Sequence, residues 1–144
     1  MSTDIDQIMA KYIAEADGGS RGNPGPAAYG ALVRDAATFN VIAEAKEYLG
    51  TQTNNYAEYC GLIAALELVK QLDPSATVEV RMDSKLVVEQ MSGNWKIKHP
   101  VLRELAIKAR GILPHGQVSY KWVRRDDNFD ADLLVNQALD SYSS

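Results

Sequence analysis

An α/β fold built on a mixed five-stranded sheet is what three features of the chain predict. Strand-like segments follow one another through short connections up to about residue 48, so the first three strands should be antiparallel neighbours. Beyond that point strand-like and helix-like segments alternate, which favours parallel pairing through helical crossovers. The 144 residues contain no internal repeat, low-complexity tract or Pro/Gly/Ser-rich linker. One domain is therefore expected over residues 11–140, with helices packed on both faces of the sheet, a short leader at 1–10 and a tail at 141–144.

Each element has its own signal. Tyr12-Ile13-Ala14-Glu15-Ala16 reads as the first strand, closed by a turn-rich run from Asp17 to Pro26. Strands are expected near 27–35 and 40–48, joined as a hairpin. Tyr59, Cys60, Ile63, Leu66 and Val69 fall at helical spacing within a helix over 55–71. Apolar residues alternate with polar ones through Thr77–Met82, which makes a fourth strand, and Ser84–Met91 makes a short helix. Pro100 suits the first turn of a helix running to about Ile112, because its missing N–H is not needed there. Gln117–Val123 is the fifth strand, and Asn128 is a candidate cap for a last helix ending near Leu139.

Composition removes several function classes. A single cysteine, Cys60, excludes an intrachain disulfide framework and a thiolate-rich zinc site. No apolar run approaches the roughly 20 residues of a membrane-spanning helix. The start, MSTDIDQIMAKY, has acids where a secretory signal has bases, so a reducing, cytoplasmic compartment is expected. With 15 Lys+Arg against 19 Asp+Glu the net charge is -4, which speaks against holding nucleic acid by charge alone. The charge is unevenly spread, however. Residues 81–125 carry ten Lys/Arg and three acids, a net +7, and the remainder is -11. That stretch is either a polyanion-binding flank or a solvated face.

Four acids stand where apolar elements begin or end. Asp17 closes the first strand and Asp83 the fourth, and groups just beyond strand carboxyl ends line the crevice of an open α/β sheet. Glu58 and Asp132 lie in the first turns of helices that follow strands. Each has a plainer reading. Asn55-Tyr56-Ala57-Glu58 matches a capping box, Asp132 can favour a helix dipole, and Asp17 and Asp83 can be turn formers. Those readings do not explain why all four fall at compatible ends. Two carboxylates ~4 Å apart repel by roughly 4 kcal/mol at an effective dielectric near 20. A converging set must protonate, spread apart or hold cations. All-oxygen donors select hard ions such as Mg²⁺, with Mn²⁺ as a substitute, and two such ions suit phosphodiester displacement.

At these residues the sequence resembles the ribonuclease H type 1 family, and the likeness covers about Lys11 to Asp140. Asp17-Gly18-Gly19-Ser20 with Gly22-Asn23-Pro24-Gly25-Pro26 and Tyr29-Gly30 is similar to the family's first-strand signature. Thr53-Asn54-Asn55 with Glu58, Met82-Asp83-Ser84 and Asn94-Trp95-Lys96 follow in order. Trp122-Val123 through Arg125, then Asn128-x-x-Ala131-Asp132, resembles a shorter, arginine-bearing ending found in one bacterial and archaeal branch.

The resemblance implies an RNase H-like fold and a catalytic, metal-holding set of Asp17, Glu58, Asp83 and Asp132. It also implies two divalent ions and hydrolysis of the RNA strand of RNA·DNA hybrids to 5′-phosphate and 3′-hydroxyl ends. Asn23, Asn54 and Asn55 fall by the same analogy in a substrate groove, with Gly18 and Ser84 beside two of the acids. Lys85 is the expected added phosphate contact. The family's catalytic-loop histidine has no counterpart in Arg124-Arg125-Asp126-Asp127-Asn128, so Arg125 is assigned to phosphate charge or product release. His99 and His115 are expected in surface or packing roles, and Trp95 in the core. Two other functions fit the same residues, a catalytically weak hybrid- or duplex-binding module and a two-metal nuclease for double-stranded RNA. A monomer is expected, either free-standing or as the first domain of a longer chain with a fused C-terminal domain.

Overall fold

A computed structural model describes residues 10–143, so nearly all of the expected leader lies outside the described residues. The elements run β1 (Tyr12–Ser20), β2 (Gly25–Asp35), β3 (Val41–Gln52), α1 (Asn54–Leu72), β4 (Val78–Met82), α2 (Lys85–Met91), α3 (Pro100–Arg110), β5 (Val118–Trp122) and α4 (Phe129–Ser143). The sheet order is β3-β2-β1-β4-β5. β1, β2 and β3 pair antiparallel, while β4 joins β1, and β5 joins β4, in parallel. The expected mixed sheet is what forms.

Consecutive residues of a strand point to opposite faces, and two glycines show what lies on each. A Cβ on Gly18 would meet the backbone of Ala57 in α1, whereas one on Gly19 would approach Val135 of α4. Thus α1 and α4 cover opposite faces. The α1 face holds the larger core, in which Ala14, Ala16, Leu62, Leu66, Val80 and Met82 are buried together. On the other face Ala28, Val135, Ala138 and Leu139 make a smaller cluster. Among the described residues no helix is long and apolar enough to cross a membrane.

Several boundaries differ from expectation for physical reasons. β1 continues to Ser20 instead of stopping at Ala16, because Gly18, Gly19 and Ser20 pair with Tyr29, Ala28 and Ala27. Ladder hydrogen bonds there outweigh the weak strand propensity of glycine. β3 runs on to Gln52 through a register shift against Ala27 and Ala28, with Gly50 at φ +76°. α4 runs past Leu139 to Ser143, into the residues expected as a tail, and its Tyr142 ring stacks on Tyr48 of β3 at 3.7 Å between centroids.

Thr53, not Asn55, caps α1, with its hydroxyl accepting the Tyr56 N–H at 3.2 Å. The capping box is therefore absent, and Glu58 is free for another partner. Asn128 is no solvent-facing cap either, since it is fully buried ahead of α4. His99 caps α3 through Nδ1, ahead of Pro100. Trp95 is 46% exposed and so is not in the core.

Candidate active site

The two close approaches that seat α1 on β1 also build the site. Gly18 leaves room for Ala57, and Gly61 leaves room for the Asp17 backbone, where a Cβ would come within 2.5 Å of the Asp17 carbonyl oxygen. Glu58, one residue after Ala57, is thereby held beside Asp17 and Gly18 of β1. The Gly18 N–H donates to Asp17 Oδ1 at 2.9 Å and to Glu58 Oε1 at 3.0 Å, so one backbone group orients both carboxylates. Parallel pairing of β1 with β4 brings the end of β4 alongside, and Asp83 follows it directly.

Asp17, Glu58 and Asp83 each present a ligand oxygen, and the three atoms lie within 4.8 Å of one another. Asp132, on α4, is not in that trio. It shares a cavity of about 400 Å³ with Asp17, Glu58, Asn54 and Arg125, and its charge acts on Asp17. Burial, then the charge of Asp83, and more weakly that of Asp132, push the Asp17 carboxyl up to about 7. Burial and the neighbouring Asp17 push Glu58 well above the usual carboxylate range. The protein holds its acids at a cost that a cation would relieve.

Asn128 is a site residue that its place before α4 concealed. Its amide donates to the Ala16 carbonyl at 2.9 Å and approaches Asp83 Oδ1 at 3.4 Å, tying Asp83 to β1 beside Asp17. Its Oδ1 is buried without a hydrogen-bond partner among the described residues. The only sequence signal was an asparagine beside an acid-rich helix start, which reads equally well as a cap.

The other expected site residues divide. Arg125 lies in the cavity, with Nε 3.7 Å from Asp83 Oδ2 and a side chain 86% exposed. Asn54 lines the cavity too, but its side-chain Oδ1 accepts from the Ser20 N–H and hydroxyl. Asn23 accepts the Asn54 N–H at 3.1 Å and so shapes the loop. Asn55 is exposed at the start of α1, outside the cavity lining. Ser84 caps α2 by accepting the Val87 N–H. Lys85 sits 3.6 Å from Glu89 and over the Trp122 ring. Neither histidine lines the cavity.

The basic stretch is not one surface. Arg81, Lys121 and Arg124 line a pocket of about 550 Å³ beside Arg34, whereas Lys96, Arg103 and Arg110 line an open groove with Trp95. Part of its charge is internally committed, as in Arg81 to Glu79 and Arg110 to the Gln90 carbonyl.

A mixed sheet that brings Asp17 of β1, Glu58 of α1 and Asp83 just beyond β4 together, with Asp132 lining the cavity of Asp17 and Glu58, defines a ribonuclease H-like site. The family profile described as reverse transcriptase-like matches residues 15–138. Ribonuclease HI of Halobacterium salinarum is 43% identical over 144 aligned residues, covering 96% of this chain and 71% of that one. The bifunctional protein Rv2228c of Mycobacterium tuberculosis is 52% identical over 132 residues, 91% of this chain. This chain spans 36% of the length of that protein. The solved structure of LC11-RNase H1 in complex with RNA/DNA hybrid superposes with a TM-score of 0.87 at 41% identity, covering 93% of this chain and 100% of that one. The chain belongs to the ribonuclease H type 1 family.

Proposed function

We propose that this domain is a divalent-metal-dependent endoribonuclease that hydrolyses the RNA strand of RNA·DNA hybrids, leaving 5′-phosphate and 3′-hydroxyl ends. The observation that carries the reading is the convergence of Asp17, Glu58 and Asp83 oxygens within 4.8 Å. The hybrid complex of LC11-RNase H1, a relative of the same fold, supports the substrate class.

The donor set fits a hard cation, since it offers carboxylate oxygens and neither sulfur nor imidazole. Asp17, Glu58, Asp83 and Asp132 would hold two Mg²⁺, with Mn²⁺ able to replace them. Such ions lower the pKa of a bound water and stabilise charge on the leaving 3′-oxygen. The chain's own part is placement. The Gly18 N–H fixes Asp17 and Glu58, and the Asn128 amide fixes Asp83. Arg125 offers a cation where scissile-phosphate charge gathers, in a cavity without histidine. Asn54 and Glu58 line the same cavity, and in this reading they meet a ribose 2′-hydroxyl, the group that separates RNA from DNA.

The test is cleavage of internally labelled RNA in a hybrid, with Mg²⁺, Mn²⁺ or EDTA, alongside double-stranded RNA and single strands. Internal cuts in the hybrid that need the metal are expected, and activity in EDTA would overturn the reading. Preferential cutting of double-stranded RNA would move the substrate class instead.

Lys85 supplies a smaller expectation. It follows Asp83-Ser84 in the chain, and among the described residues its exposed ammonium is held only by a 3.6 Å contact to Glu89 and by the Trp122 ring. Lys85→Ala is expected to weaken hybrid binding and to lower the slope of log affinity against log salt by about 1. An unchanged slope removes Lys85 from the phosphate contacts.

A further inference from the structure

We infer that Arg34 is a positioning residue for the catalytic set, acting through Asp130 to place Asp132. The inference rests on the two-ion reading above and adds to it a residue that lines a different cavity from Asp17, Glu58 and Asp132. On β2, Arg34 points to the face that α4 covers. Gly30 identifies that face, because a Cβ there would come within 2.6 Å of the Ala131 carbonyl oxygen and of Leu134 Cβ. Residues two and four positions on share the face, so Arg34 lies on it with Leu32. Leu32 stands opposite Glu15, which makes Arg34 and Glu15 a diagonal cross-strand pair.

Four of the five guanidinium N–H donors have partners among the described residues. Nε donates to Glu15 Oε2 at 2.9 Å and Nη2 to Glu15 Oε1 at 3.3 Å, a two-pronged pair that is buried on both sides. Nη1 donates to the Phe39 carbonyl at 3.2 Å, and the Phe39 ring lies over the guanidinium at 4.4 Å. Phe39 itself sits at φ +66°, in the left-handed region that favours glycine. The remaining donation of Nη2 goes to Asp130.

The two acids that share Arg34 each lie two residues before an acid of the site, Glu15 before Asp17 and Asp130 before Asp132. On β1 that spacing keeps both side chains on one face. On α4 it turns the second side chain about 200° from the first, because each residue advances 100°. Asp130 and Asp132 thus point to different sides of the helix, and they line different cavities. A tether on Asp130 fixes the rotation of α4 about its axis, while the Gly30 contact at Ala131 fixes its height. Together they determine where Asp132 stands. Asp132 needs such support, since among the described residues its carboxylate accepts only from Asn136 within α4, at 3.4 Å.

Asp130→Asn is the informative variant, because Asp130 is half exposed and its loss leaves the buried Glu15–Arg34 pair intact. Two readouts are followed, the rise in melting temperature on Mn²⁺ titration without substrate, and the Mg²⁺ dependence of hybrid cleavage. The expected result is that the metal concentration for half effect rises about tenfold in both, the scale on which groups that orient metal ligands act. KM for hybrid at saturating metal and the melting temperature in EDTA should stay near wild type, and Asp130→Glu should restore part of the loss. A lower melting temperature in EDTA with an unchanged metal titration makes the contact merely structural and overturns the inference. If wild type responds to metal and cleaves hybrid while Asp130→Asn titrates identically, the inference alone fails. If wild type does neither, the two-ion reading fails and takes the inference with it.

Discussion

Asp17→Asn is expected to abolish hybrid cleavage and at the same time to make the metal-free protein more stable. Asp17 is the acid on which the other charges of the site act, those of Asp83 and Asp132 among them. Losing the ligand they share should lower turnover by a factor of about a thousand or more, since metal catalysis supplies several kcal/mol.

The stability gain follows from the same field. In the folded chain the Asp17 carboxyl keeps its proton up to about 7, against 3.8 for a free aspartate. Folding therefore takes up a proton between those values, and stability falls as pH rises across that window. The loss is complete above about 7 and is on the order of 4 kcal/mol. Asparagine carries no such penalty. Thermal melts in EDTA should show the variant ahead by several degrees at pH 8, with the difference closing towards pH 4. A variant no more stable than wild type at pH 8 would show that the repulsion is spent elsewhere. Added Mg²⁺ should narrow the gap at pH 8 by stabilising only the wild type.

The second large effect is steric. A Cβ at Gly18 would stand 2.1 Å from the Ala57 carbonyl carbon, 2.2 Å from its oxygen and 2.4 Å from the Glu58 nitrogen. All three are backbone atoms, so no side chain can swing away. Gly18→Ala must push α1 off β1, at roughly 3 kcal/mol or more, which lowers the melting temperature by about 10 °C. It also parts Glu58 from the N–H that orients it, so metal affinity should fall as well. Gly116→Ala is the control, with nothing within 4 Å of its added carbon, and it should melt within a degree or two of wild type. Urea or thermal unfolding of the pair decides the matter, and a benign Gly18→Ala would contradict the packing of α1 on β1.

Much of this was legible in the sequence because the acids occupy positions that periodicity can locate. Asp17 and Asp83 interrupt alternating apolar runs, and Glu58 and Asp132 enter helices within their first turns. What periodicity cannot supply is register. Nothing in the sequence says that Arg34 stands diagonal to Glu15, and a lone arginine in a strand reads as an outward-facing charge until β1 and β2 are aligned. Asn128 was concealed differently. Polar residues before a helix are expected to cap it, and only the depth of its burial shows that its amide serves Ala16 and Asp83. Thr53, Asn54 and Asn55 are all good capping residues, so composition could not choose among them. The choice of Thr53 left Glu58 to turn inward to Gly18. Trp95 misled through its bulk, because aromatic residues are commonly buried, yet the short connection between α2 and α3 leaves it at the surface.

The irregular pairing of β3 with β2 bears on how this molecule behaves in company. β3 is twelve residues long and forms one margin of the sheet, with a row of backbone groups facing outward. Such a margin invites a second chain to add itself as another strand. Two register shifts against β2, at Ala27/Ala28 and Val33/Arg34, break the regularity that an incoming strand would have to match. Glu44, Lys46 and Glu47 add exposed charge along the same length. The same interruptions that shift the register of β3 on β2 thus also work against strand-to-strand aggregation.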